Sequence, residues 1–180
     1  MHVVLFAVQS LDGYITRRTT AGDGFASAAD RAHLREALRS CDACVMGGAT
    51  YDQAKARLRP AAFPALRRVV WTRTPEARAP EGVPGALEFT RETPAETVVR
   101  LRADGRRRCA VLGGGRVNAA WLGAGLVDEV WLTVESALFG AGTPLAGGAG
   151  WDGPELRLWL REAKVLAEGG PMSLRYEVQR

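Results

Sequence analysis

Apolar and polar positions alternate along this chain with two periods, one of strands and one of helices. Val3 to Gln9 is a largely apolar run, the pattern of a strand buried on both faces. Ser10-Leu11-Asp12-Gly13 reads as a turn leading to Tyr14 and Ile15, and Arg17 to Ala26 as a polar loop able to lie over a site. Behind Ser27, an N-cap residue, apolar positions recur at helical spacing through Ala29, Ala32, Leu34, Ala37, Leu38 and Cys41. Ala43 to Met46 predicts a second strand closed by Gly47-Gly48. Thr50 is expected to cap a helix through Leu58 that Pro60 and Pro64 end. Arg68 to Thr72 predicts a third strand, Thr74-Pro75 through Pro84 a loop, and Leu87 to Phe89 a short strand. Thr93-Pro94 opens a helix to about Ala103, with proline at its first position.

The same logic covers the second half. Cys109 to Leu112 is a buried-strand run, followed by Gly113, Gly114 and Gly115. Val117, Ala120 and Trp121 then recur at helical spacing to about Ala124, and Gly125 stands where a C-cap glycine would. Val130, Leu132 and Val134 alternate against Trp131 and Thr133 in the next strand. Ser136 to Trp151, with Gly140, Gly142, Gly147, Gly148 and Gly150, predicts a long irregular loop. Leu156, Leu158 and Leu160 alternate as a half-exposed strand, Glu168-Gly169-Gly170-Pro171 turns, and Leu174, Tyr176 and Val178 return. Strands and helices in turn, then a hairpin, predict an α/β fold: a mainly parallel central sheet flanked by helices, with a C-terminal antiparallel hairpin. No internal repeat or second core is visible, so residues 1–180 are expected to form a single domain.

Composition narrows the chemistry. With 47% hydrophobic residues this is an ordinary globular chain, and its formal charge of 24 − 20 = +4 suits an anionic small ligand but not nucleic acid. Arg106, Arg107 and Arg108 form the only basic run and precede a strand. No signal peptide is visible, and no apolar run approaches the ~18 residues of a membrane span, so the cytoplasm is the expected compartment. Cys41 and Cys44 form a C-x-x-C pair, but a zinc site needs two more ligands, and the remaining candidates Cys109, His2 and His33 offer no second pair. The glycine triplet has two open readings. Glycines let a backbone approach a ligand, and the helix start beyond them is a ready phosphate site; a tight turn that binds nothing fits the same residues. Gly114, at its centre, is expected to use backbone geometry open only to glycine.

Five stretches together resemble the dihydrofolate reductase-like family, and most of all its riboflavin-pathway branch, the reductase half of the deaminase-reductases. Val111-Leu112-Gly113-Gly114-Gly115-Arg116-Val117 looks like the family's strand–glycine–helix signature, whose glycines bind the cofactor pyrophosphate, often across a cis Gly–Gly bond. Ser10-Leu11-Asp12-Gly13 is similar to the first-strand motif of riboflavin-type members, and Val45-Met46-Gly47-Gly48-Ala49-Thr50-Tyr51 to the second cofactor motif. Thr72-Arg73-Thr74-Pro75 stands where the family holds the adenosine 2′-phosphate, and Leu138 to Leu145 matches its glycine-rich stretch before the last hairpin. The resemblance covers nearly the whole chain. It departs at Gly48, where the family usually has a phosphate-holding arginine, and between Arg17 and Ala26, where the Pro-Trp of true dihydrofolate reductases is absent. No His-x-Glu with a downstream Pro-Cys-x-x-Cys accompanies it, so no zinc deaminase travels with these residues.

The resemblance implies an NADPH-dependent reductase acting on a heterocyclic small molecule of the pterin or aminopyrimidine type, and a homodimer paired through the last hairpin. It implies that Val8, Ile15, Gly47, Thr50, Thr72, Arg73, Gly113, Gly114, Gly115, Arg116 and Val117 hold the cofactor, and that Asp30 and Thr133 form the proton-handling pair. Asp30 reads equally as a first-turn acid stabilised by the helix dipole. Asp12 is the runner-up acid, and Glu135 would reach the cleft. Asp128-Glu129 is expected to face solvent, with Trp71 and Trp131 as packing residues. The alternative to a reductase is a non-catalytic nucleotide- or ligand-binding protein that retains the fold.

Overall fold

The computed structural model describes residues 1–18, 22–147 and 155–179. Positions 19–21 of the Arg17 to Ala26 loop, and Gly148, Gly150 and Trp151 of the glycine-rich loop, lie outside the described residues. The strands are β1 (His2–Ser10), β2 (Ala43–Gly47), β3 (Arg67–Trp71), β4 (Leu87–Thr90), β5 (Arg108–Val111), β6 (Glu129–Glu135), β7 (Leu158–Val165) and β8 (Met172–Val178). The helices are α1 (Ala28–Leu38), α2 (Gly48–Ala54), α3 (Pro75–Arg78), α4 (Pro94–Ala103) and α5 (Gly115–Gly123). The strands form one eight-stranded sheet in the order β4-β3-β2-β5-β1-β6-β8-β7. Every pairing from β4 to β6 is parallel, and β8 joins β6 and β7 antiparallel. The α/β architecture expected from the residue pattern is therefore the one observed.

Two apolar layers hold the helices on the sheet. Val98 and Leu101 of α4 and Val117 and Trp121 of α5 pack with Val3, Leu5, Val45 and Val111 on one face. Ala37 and Leu38 of α1 and Tyr51 of α2 pack with Val4, Phe6, Met46 and Val70 on the other. Local signals agree with these placements. The Ser27 hydroxyl accepts from Asp30 N at 3.1 Å, capping α1. Thr93 and Glu96 form a reciprocal capping box on α4. Gly125, at φ +65°, follows the C-cap of α5.

Four expectations need correction. Gly47, not Thr50, is the N-cap of α2, with no side-chain cap, and the helix ends at Ala54 rather than Leu58. The Thr74 to Pro84 stretch is not all loop, since Pro75 starts the short α3 and a 3₁₀ turn follows. All of β7 is exposed rather than half-exposed, because it is the sheet edge with no layer packed on it. Asp128 and Glu129 are not solvent residues: Asp128 accepts Val3 N at 2.7 Å, and Glu129 takes the Trp131 indole N–H at 2.5 Å and His2 at 2.7 Å.

One knot joins the loop after β1 to the glycine-rich loop. The Asp12 carboxylate accepts Phe139 N at 3.1 Å and Gly140 N at 2.7 Å, and the Ser10 hydroxyl holds its pKa below the usual range. Ile15 N donates to Thr143 O at 2.8 Å, and Thr143 N to Thr16 Oγ1 at 2.8 Å. Asp12 is thus a fold residue and lies outside the cleft described below. A Cβ at Gly142 would stand 2.0 Å from Thr16 O. Gly142→Ala should therefore lower stability by about 1–3 kcal/mol through overpacking. A urea melt with an unchanged midpoint would show that the two loops separate freely.

Candidate functional site

A cleft of about 1600 Å³ opens over the carboxyl ends of the parallel strands, between α1 and α2, with the start of α5 in its floor. Open α/β sheets place their ligands at this edge. The three glycines after β5 do different work there. Gly113, at φ +86°, needs the left-handed region. Gly114 does not: its φ is −73°, so the expectation of glycine-only geometry holds one residue earlier. A Cβ at Gly114 would meet only Thr50 Oγ1, at 3.5 Å. A Cβ at Gly115 would stand 2.9 Å from Pro144 O and 3.0 Å from Thr143 Cγ2, so this glycine packs the glycine-rich loop. The Gly113–Gly114 peptide is cis. Gly114 caps α5 without a side chain, and the first N–H groups of this nine-residue helix have no acceptor within it.

Gly47 N donates to Gly113 O at 2.8 Å, which sets the end of β2 beside the end of β5. A Cβ at Gly47 would press Val117 Cγ2 at 3.2 Å. Thr50 occupies the third position of α2 and faces Gly114. Thr72 and Arg73 follow β3, and Arg73 and Arg116 are exposed and make no ion pair among the described residues. Val8 and Ile15 line the cleft from β1 and the loop after it. All of the residues proposed from sequence to hold cofactor or proton thus line one cleft. Among the described residues, seven arginines border it, at 18, 31, 35, 57, 73, 91 and 116, against two carboxylates, Asp23 and Asp30. Such a wall favours a polyanion.

The opposite end is built by register. Phe6 pairs with Trp131 and Val8 with Thr133 across β1 and β6, while Thr133 pairs with Ser173 across β6 and β8. Asp30, in the first turn of α1, lies over this surface, is 5% exposed, and is hydrogen-bonded to Thr133. Burial pushes its pKa up to about 6; the Thr133 hydroxyl pulls it down, and nearby Glu135 adds to the rise. Glu135 itself is engaged with Ser27 N at 2.7 Å, holding the start of α1 rather than reaching the cleft. One turn along α1, His33 bonds the Ser173 hydroxyl at 3.0 Å and stacks on Trp131 at 6.4 Å between centroids.

His33, Ser173 and Trp131 line the cleft and were missed as site residues. The i, i+3 spacing of Asp30 and His33 was a readable signal. The pairing of Ser173 with Thr133 was not, because it depends on how the hairpin docks. Among the described residues no cluster of His, Cys, Asp and Glu could hold a metal, and all three cysteines are free and buried, with the Cys44 thiol pushed up to about 12 by burial. No described helix is long and apolar enough to cross a membrane.

The sequence model of the RibD C-terminal domain matches residues 1–170. This chain belongs to the RibD C-terminal domain family. No curated protein matches it. Among solved structures, a pyrimidine reductase-like protein from Corynebacterium diphtheriae aligns over 99% of this chain and 92% of its own, at 17% identity and a TM-score of 0.81. A diaminohydroxyphosphoribosylaminopyrimidine deaminase/5-amino-6-(5-phosphoribosylamino)uracil reductase from Thermotoga maritima aligns over 99% of this chain at 16% identity and a TM-score of 0.78. RibD from Acinetobacter baumannii aligns over 99%, at 18% identity and a TM-score of 0.69. This chain spans 56% and 58% of the last two proteins. At these identities the likeness shows the RibD C-terminal, dihydrofolate reductase-like fold.

Asp30 makes a stability statement. Its pKa is 3.8 unfolded and about 6 folded, so the folded state binds the extra proton between these values. The stabilisation is complete below pH 3.8 and is lost as pH rises through about 6. Asp30→Asn should be more stable than the parent at about pH 8, by on the order of 2–3 kcal/mol, with the difference vanishing below about pH 4. Urea melts at both pH values measure this, and a constant difference would place the Asp30 carboxylate in water.

Proposed function

We propose that this protein is an NADPH-dependent reductase acting on an aminopyrimidine ribosyl derivative such as 5-amino-6-(5-phosphoribosylamino)uracil, with hydride delivered to C1′ of the ribosylamino group. Membership of the RibD C-terminal family supports an oxidoreductase that uses a nicotinamide cofactor. The observation that carries the reading is a buried acid in the same cleft as an uncapped helix start. The residues present fit the dinucleotide. The start of α5 offers N–H groups to a pyrophosphate, Gly114 leaves space above them, and Arg73 and Arg116 are free to pair with further phosphate. The bound cofactor supplies the hydride.

The chain's own residues do the rest. A carboxyl with a pKa of about 6 is partly protonated near neutral pH, so Asp30 can hold a proton for the ribose ring oxygen that leaves C1′ as hydride arrives, with Thr133 fixing its direction. Phe6, Leu34 and Trp131 narrow the access of water to this end. The exposed β7 edge, with Leu158, Trp159 and Leu160 uncovered, supports pairing of two copies through the last hairpin. The direct experiment follows NADPH oxidation with this aminopyrimidine and titrates NADPH fluorescence without it. Binding without turnover would leave a ligand-binding protein, and absence of both would end the reading.

Three variants test the cofactor end. Arg73→Ala should weaken NADPH binding by roughly 1.5–3 kcal/mol and leave NADH nearly untouched. Equal losses for both cofactors would make Arg73 structural. Gly114→Ala should abolish cofactor binding with little change in melting temperature, since no backbone strain stands at this position. Gly115→Ala should do the reverse and melt early, because its methyl meets the glycine-rich loop. A Gly114→Ala protein that still binds NADPH would remove the phosphate from the start of α5.

A further inference from the structure

Arg68 is 1% exposed, and among the described residues no carboxylate pairs with it. It sits on β3 beside the buried Val69 and Val70, where its burial lowers the guanidinium pKa. Such a charge is costly to bury unless its donors are all used. Here four of its five donors are used, all on a single stretch of backbone. Nε donates to Leu58 O, Nη1 to Leu66 O, and Nη2 to Arg59 O at 3.1 Å and Phe63 O at 2.9 Å. These four carbonyls belong to the irregular connection from α2 to β3, which carries Pro60 and Pro64 and has no helix or strand of its own.

That connection is a wall of the cleft. Leu58 and Phe63 line it, facing the end that Leu34 and Leu38 of α1 also line, and both pack on the core layer beneath α1 and α2. Just before it, Arg57 reaches Asp23 at 2.8 Å, so the loop preceding α1 is tied to the same segment. We propose that Arg68 is a positioning residue for the substrate: its guanidinium gathers the 58–66 connection into the shape that sets Leu58 and Phe63 against the bound heterocycle. It touches neither cofactor nor substrate. A planar fork with five donors can bind four carbonyls in diverging directions, whereas an ammonium has three donors and no fork. The proposal rests on the reductase reading for its kinetic arm only.

The test compares Arg68→Lys with Phe63→Ala in the full chain, by backbone hydrogen exchange, NADPH fluorescence titration and steady-state kinetics with 5-amino-6-(5-phosphoribosylamino)uracil. Arg68→Lys should speed exchange across 58–66 by about tenfold or more, leave the sheet amides unchanged, and leave NADPH affinity within about twofold. It should raise KM about tenfold while kcat changes less than about threefold, the pattern of lost substrate positioning. Phe63→Ala should raise KM likewise without faster exchange through the whole connection. Unchanged exchange in Arg68→Lys would overturn the gathering role. Faster exchange with unchanged KM would overturn the substrate wall, and so would equal losses of substrate and NADPH binding. If the parent protein fails to reduce this substrate, the reductase reading falls and the exchange arm still decides what Arg68 holds.

Discussion

The site depends on how closely backbone approaches backbone at the ends of β2 and β5. The bond from Gly47 N to Gly113 O, at 2.8 Å, sets two helix starts side by side. Any larger residue at Gly47 would meet Val117, and at Gly115 the carbonyl of Pro144. The glycine-rich loop therefore lies directly on the start of α5, held by Asn118 Nδ2 donating to Leu145 O at 2.8 Å. The Asp12 knot then ties the same loop to the end of β1. Joined in this way, these segments form one floor, and the cleft above it is a consequence of that close approach.

Much of this was legible because strands and caps leave local marks. Ser27, the Thr93–Glu96 pair and Gly125 announce helix ends through groups that satisfy orphan backbone donors or allow a left-handed residue. The α5 end of the cleft was legible for the same reason, since its residues cluster in short motifs such as 113–117. The Asp30 end was less so. Ser173, Trp131 and His33 meet only because β8 docks beside β6, a contact between positions far apart in sequence. Thr50 misled because a hydroxyl beside a glycine pair looks like a cap, while the chain enters the helix three residues sooner. Arg68 read as the polar start of a strand, and its buried role depends on a connection that has no periodic pattern.

Charge divides the cleft. Arginines border it, yet Asp30 keeps a raised pKa, because most of these guanidiniums are exposed and their fields are screened by water. Arg31, beside it on α1, favours the ionised carboxylate but counts for less than burial, Thr133, Glu135 and Asp23. A polyanion at the α5 end and a protonated carboxyl at the other can thus coexist within one pocket.

Asp30 also shows why such a site is not the most stable solution for this fold. An aspartate in the first turn of a helix gains from the dipole when ionised in water. Here the same residue is buried against Thr133, where desolvation outweighs the dipole and favours the neutral acid. Near neutral pH the fold therefore carries a group that would rather be protonated. The core on both faces of the sheet is closed and apolar enough to tolerate it. A residue serving only the helix start would have remained at the surface, as Glu96 does on α4; the burial of Asp30 against Thr133 is what supports its proposed part in proton transfer.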